Sequence, residues 1–177
     1  LNKYQLVEGT EWFDQIFFKG NSSEGIFELQ FDAIFGTLRN YYYVTNPTFK
    51  VYSQISQLYG DELNDRRANL ATYSLTNSAV FKFAGVDPNS GSYRSDQQFY
   101  NTWIFYRYAD VLLMEAEGYL KSTTRHKVDS AYYFIILVHE RATENLLPIA
   151  CPNEAELETG LVVKRKMRFA LEGKVGV

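Results

Sequence analysis

The sequence predicts a mainly α protein with long irregular loops and a small β-hairpin or two-stranded sheet. Three observations carry this. Apolar residues recur at helical spacing in three segments after about residue 101, one earlier segment alternates with period two, and much of the rest lacks periodicity. A chain of 177 residues suffices for one core, which places 1–177 in a single domain, loop-rich with two short strands over 1–100 and helical over 101–177.

From Glu11 to Lys19, Trp12, Phe13, Ile16 and Phe17 fall at helical spacing, and Gly20-Asn21 supplies a stop, so a short helix is expected. In EGIFELQFD, Ile26, Glu28 and Gln30 alternate with Phe27, Leu29 and Phe31, the pattern of a half-buried strand. Its expected partner is Ala79 to Gly85, AVFKFAG. Between them, Ile34 to Ser78 is rich in Tyr, Asn, Ser, Thr and Gly, and long loops of this kind are more often functional than decorative. Within it, YGDELNDRRANLA reads as a turn entering a short helix, with Asp61 or Asn64 as cap. Asp61, Leu63 and Asp65 imitate the start of a calcium loop, but the third-position ligand, central Gly and terminal Glu are missing.

After the DPNSGSYRSD loop, a helix is expected from about Trp103 to Lys121. Ile104, Tyr108, Val111, Leu112, Glu115 and Tyr119 share one side, and Phe105, Ala109, Leu113, Ala116 and Leu120 another. Ala109, Ala116 and Gly118 leave room for a neighbouring helix. Ser122 to Lys127 then forms a short loop before a helix over about Asp129 to Thr143, striped by Ala131, Ile135, Val138 and Ala142. The two make an antiparallel hairpin of about forty residues, the size of one α-solenoid unit. A third helix starts at CPNEAE with Asn153 as cap and Glu156 in the capping-box position, and ends near Gly173.

A net charge of −3 offers no basic field for nucleic acid. The single Cys151 excludes an internal disulfide, and two histidines, His126 and His139, have no metal-ligand spacing. No Gly-rich phosphate cradle is present, and no cofactor is expected. No apolar run approaches ~18 residues, so nothing here spans a membrane. The chain opens on Leu1 and stops soon after a helix, which reads as a segment of a longer protein. Phe, Tyr and Trp make up 16% of the residues, fourteen of them Tyr, a composition that serves either core filling or carbohydrate and interface contacts.

Asp110, Glu115 and Glu117 invite a catalytic reading, but Glu115 and Glu117 stand about 200° apart round a helix. With Arg107 they read instead as structural ion pairs or solvated positions. Lys164, Arg165, Lys166 and Arg168 read as a solvated face or as partners for acids on the adjoining helix.

Trp103 to Glu117, WIFYRYADVLLMEAE, closely resembles the helix signature of the starch-utilisation-system D-like (SusD/RagB) family of Bacteroidetes. Three further segments resemble that family in the same order: Glu24 to Phe31, Glu140-Arg141-Ala142, and Phe169 to Lys174. His139 stands where the family usually has Arg, and Val175-Gly176-Val177 replaces its aromatic continuation. The resemblance covers the family's C-terminal half. It implies an α-α superhelix containing a tetratricopeptide-like hairpin. It also implies non-catalytic binding of glycans, or sometimes peptides, at the outer-membrane surface, with delivery to a SusC-like TonB-dependent transporter. The anchor implied is an N-terminal lipid outside this segment.

No family motif fixes the ligand contacts. Arg39, Asn40, Tyr41, Tyr42 and Tyr43 are the candidates read from the residues themselves: aromatic faces stack on sugar rings while Asn and Arg bond paired hydroxyls. The competing reading packs Tyr42 or its neighbours inward. Two alternatives to glycan delivery stay open, a tetratricopeptide-type protein-protein scaffold and an α-helical carbohydrate-active enzyme. The first would show repeats of roughly 34 residues, which the first hundred lack. The second would hold two carboxylates roughly 5 to 10 Å apart across a cleft.

Overall fold

The computed structural model describes residues 3–32, 34, 39–42, 48–52, 55–59, 65–67, 72–74, 76, 78–83, 90–92, 102–143 and 152–172. The first helix forms where the spacing places it, and over Asp14–Lys19 it is wound as a π-helix. Trp12, Phe13, Ile16 and Phe17 all lie in the core. Gly20, at φ 72°, ends it in a conformation that glycine adopts without strain. A side chain there would also collide with Thr102.

β1 (Gly25–Leu29) follows, but its partner is not Ala79 to Gly85. Two helical turns, α1 (Arg39–Tyr42) and α2 (Ile55–Tyr59), come next, then β2 (Tyr73–Ser74) and β3 (Ala79–Val80), which pair with each other. Beyond Val80 the chain turns so that Phe81, Lys82 and Phe83 enter the interior. The strand beside β1 is β4 (Trp103–Arg107), antiparallel, with Phe27 opposite Tyr106 and Leu29 opposite Trp103. The expected helix from Trp103 therefore begins five residues late. WIFYR is aromatic and β-branched, a composition that fits a pleated surface, and β1 supplies its backbone partners. α3 (Tyr108–Lys121) starts where a cap becomes available: the Asp110 carboxylate accepts the Arg107 N–H at 2.7 Å.

α3 and α4 (Val128–Ala142) form the helical hairpin, joined by residues 122–127. Ser122 knots this turn by accepting the Arg125 N–H at 2.9 Å. Leu112, Leu113, Ala116 and Leu120 of α3 meet Ala131, Ile135 and Val138 of α4 in one core, which Leu157, Leu161 and Phe169 of α5 (Glu154–Phe169) complete. Ala109 and Ala116 are fully enclosed, whereas Gly118 lies on open surface and admits no close helix, contrary to its expected role. Asn153 caps α5, its Oδ1 accepting the Glu156 N–H at 3.0 Å. The helix stops at Phe169, earlier than expected. Leu171 takes the left-handed conformation at φ 66°, and this turns Glu172 back into the interior. Gly173, Asp61 and Asn64 lie outside the described residues.

A smaller core joins distant parts of the chain: Val51, Tyr59, Tyr73, Val80 and Phe83 pack with Met167 and Ala170. Tyr59 donates its hydroxyl to the Met167 carbonyl at 2.6 Å. Among the described residues the fold is thus mainly helical, with two small antiparallel sheets.

Leu112 and Ile135 face each other across the hairpin, 4% and 3% exposed. Truncating either to Ala should cost about 2–5 kcal/mol, read as a lowered urea midpoint.

Candidate functional site

A cluster of charges is sealed inside the molecule at the junction of five segments. Glu24, fully buried just before β1, faces three guanidinium groups. Its Oε1 accepts from Arg107 Nη1 at 3.1 Å and Arg168 Nη2 at 2.9 Å, and its Oε2 pairs with Arg141 Nη1. Glu172 accepts from Arg107 Nη2 at 2.7 Å and from Lys82 Nζ at 2.9 Å. Lys82 also donates to the carbonyls of Ala170 at 2.9 Å and Arg168 at 3.3 Å, which fastens the end of α5. Aromatic faces wall the group. Arg107 lies 5.1 Å from the Phe169 ring and 5.7 Å from Phe17, and Arg168 lies 5.7 Å from Trp12.

Buried charges persist only where paired and hydrogen-bonded. Two carboxylates here serve four cations, and Arg141 Nε and Nη2 and Arg168 Nε and Nη1 are buried without an acceptor. Burial accordingly pushes Lys82 down to about 8, helped by Arg107 and Arg67 and opposed by Glu172. Burial likewise pushes Arg141 down to about 10, against the pull of Glu24. Arg107 goes the other way: burial works against its charge, but Glu172, Glu24 and Asp110 together raise it. A second buried pair stands nearby, where Arg67 Nε donates to Asp65 Oδ1 at 2.7 Å. Arg67 thus takes up one end of the sequence that imitates a calcium loop.

These groups are walled off from solvent, and their chemistry is architectural. Glu24, Arg107, Arg141 and Glu172 lie one in each of the four segments that carry the family resemblance. The acids of α3 also have structural posts. Asp110 caps the helix, Glu117 pairs with Arg165 of α5 at 2.8 Å, and Glu115 is exposed. Arg165 fulfils the expected partnership with an adjoining helix, whereas Arg168, read as part of a solvated face or such a pairing, is buried. The cost of that burial is offset by Glu24 and the Trp12 ring, which receive its charge.

The proposed ligand residues occupy a helical turn. Arg39, Asn40, Tyr41 and Tyr42 form α1; the side chains of Arg39 and Asn40, and all of Tyr43, lie outside the described residues. The Tyr41 ring is 45% exposed and stacks on Phe49 at 5.4 Å. Tyr42 is half-buried, 5.4 Å from Phe83, and burial pushes its phenol up. Outward aromatics that sequence reasoning did not single out include Phe49 and Tyr52, and Phe27 stacked on Phe105 at 5.0 Å. For Phe27 the signal was the period-two pattern of β1, whose apolar residues Phe27 and Leu29 point to solvent; Phe49 and Tyr52 carried no such signal.

Replacing Glu24 by Gln should cost about 3–5 kcal/mol at neutral pH, because three guanidiniums lose their shared counter-charge. Glu117→Gln, which breaks a surface pair, should shift the urea midpoint by less than about 1 kcal/mol equivalent. Lys82 gives a pH signature. Between its folded value of about 8 and the ordinary 10.5, the unfolded chain binds the extra proton, so stability rises with pH in that window. Unfolding free energy should gain about 1–2 kcal/mol from pH 8 to 9.5, and Lys82→Met should remove the gain.

The SusD family model matches residues 31–176. The fold is similar to crystal structures of SusD superfamily proteins. One from Bacteroides thetaiotaomicron VPI-5482 has a TM-score of 0.72 at 19% identity, with 98% of this chain and 41% of that one covered. One from Parabacteroides distasonis ATCC 8503 has a TM-score of 0.66 at 16% identity, covering 98% and 42%. One from Bacteroides vulgatus ATCC 8482 gives 0.58 and 19%, covering 98% and 43%. The chain therefore spans about two fifths of the length of the structures it resembles. No curated protein matches it in sequence. With the family's four segments meeting at one buried charge cluster, and its model matched over most of the length, the chain belongs to the SusD family.

Proposed function

We propose that this chain is the C-terminal part of a non-catalytic, nutrient-binding lipoprotein at the outer-membrane surface. The full protein binds oligosaccharide and delivers it to a SusC-like TonB-dependent transporter. Its membrane attachment is an N-terminal lipid outside this segment, and no described helix is long and apolar enough to cross a membrane. The observation that carries the reading is family membership over residues 31–176.

The placement of the charged groups supports binding over chemistry. The carboxylates best able to act as acid and base are committed elsewhere, Glu24 and Glu172 to buried cations and Asp110 to a helix cap. Among the described residues of the first hundred, Phe27, Tyr41, Phe49 and Tyr52 are exposed aromatics. Tyr41 presents a flat face backed by Phe49, a support that fixes the ring before a sugar arrives. Arg39, Asn40, Tyr42 and Tyr43 complete the proposed contact set, with Arg39 and Asn40 bonding paired hydroxyls.

Calorimetry of the full-length protein with neutral oligosaccharides tests this. At least one of Tyr41→Ala, Tyr42→Ala and Tyr43→Ala should weaken binding about fivefold or more, with the circular dichroism spectrum unchanged. Unaltered affinity in all three would move the site to other loops. Hydrolysis assays on the same glycans should show no turnover by wild type, or by Asp110→Asn, Glu115→Gln or Glu117→Gln. Turnover lost in one of these variants would overturn the non-catalytic assignment.

A further inference from the structure

At the entry to β1, Asn21, Ser22, Gly25, Phe27, Glu28 and Gln30 line an open cleft of about 320 Å³. Gly25 is part of its construction, because a Cβ there would collide with the Glu28 carboxylate folded over it. Glu28 Oε2 accepts the Asn21 N–H at 2.9 Å, which holds the carboxylate in place. Its other oxygen, Oε1, and the Ser22 hydroxyl are shielded from solvent and have no hydrogen-bond partner. The Asn21 and Gln30 amides bond each other. Beside them Phe27, 56% exposed, stacks on Phe105 with ring planes 26° apart, forming a flat apolar platform.

The lining specifies the occupant. It contains a carboxylate and neither Lys nor Arg, so it opposes phosphate, sulfate and carboxylate ligands. Two unsatisfied oxygens call for hydrogen-bond donors, since a buried acceptor left unpaired costs free energy that a ligand hydroxyl recovers. The adjoining rings call for an apolar face. A neutral sugar ring offers both, hydroxyls at its edge and C–H bonds on its face. The volume is at the low end for ligand sites, roughly 300 Å³, suited to one ring rather than a chain.

We propose that this cleft is a second carbohydrate subsite, taking one neutral hexose residue whose hydroxyls draw Glu28 Oε1 and Ser22 Oγ out of their shielded positions, with Phe27–Phe105 beside its face. It is separate from α1 and rests on the glycan-binding reading. The test is calorimetry of the full-length protein with neutral gluco-, manno- and galacto-hexasaccharides, a hexauronide and a lysine-rich peptide. Glu28→Gln keeps an acceptor for Asn21 while removing the anionic oxygen, and Phe27→Ala alters an exposed ring, so neither disturbs the core. Both should weaken the hexasaccharide that wild type binds by about fivefold or more, and the hexauronide should not compete. Transfer of saturation from the sugar to Phe27 ring protons, abolished in Glu28→Gln, would support the subsite independently. If wild type binds a hexasaccharide and both variants match it within about twofold, the subsite is wrong and the glycan reading stands. If wild type binds no hexasaccharide, both fall. Displacement of the sugar by the peptide from this cleft would reassign it to cationic ligands.

Discussion

Everything in this chain hangs on the interior position of Glu24. A carboxylate taken fully out of water is tolerable only if several donors converge on it, and those donors come from β4, α4 and α5, more than eighty residues downstream. The requirement couples the N-terminal turn to β4, α4 and α5 more specifically than apolar packing does. Apolar side chains exchange partners at small cost, whereas a guanidinium displaced from its carboxylate stays charged and unsolvated. Glu172 plays the same part from the other end of the chain, bringing Lys82 and Arg107 together. The stop of α5 at Phe169 follows, because a helix continued to Gly173 would carry Glu172 away from these cations.

The helical hairpin was legible because its signal is local. Ala131, Ile135, Val138 and Ala142 recur with the period of one secondary structure, and the short turn before them makes α4 a neighbour of α3. Asn153 was legible for the same reason, a cap being a matter of three residues. Pairing of β1 was not, since the choice between Ala79 and Trp103 depends on where the intervening residues take the chain. WIFYR was misassigned because a run apolar on every side has no period to read, and its strand character is conferred by β1. The buried charges were equally hidden. Glu24, Lys82 and Arg168 look in sequence like any solvated residues, and only the meeting of their segments makes them interior. Of the candidate ligand residues, the structure fixes the outward ring of Tyr41 and the half-inward ring of Tyr42, a distinction no adjacent pair of tyrosines reveals in sequence.

One group of ionic side chains, Glu24, Lys82, Arg107, Arg168 and Glu172, is held inside, where it specifies which segments meet, while some aromatic rings, Phe27, Phe105, Tyr106 and Tyr41, are left outside on β1, β4 and α1. A surface poor in fixed charge at its rings attracts few counter-ions, and the rings themselves lose little conformational freedom on contact.

Arg107 ends β4 and Tyr108 begins α3, with no residue between them. Sheet and hairpin consequently share one continuous backbone without a joint. Torque applied to the outer ribbon, by anything pressing on Phe27 or Phe105, has no loop in which to dissipate and is passed along the axis of α3. The two-stranded ribbon is in mechanical terms the short arm of a lever whose long arm is the helical hairpin.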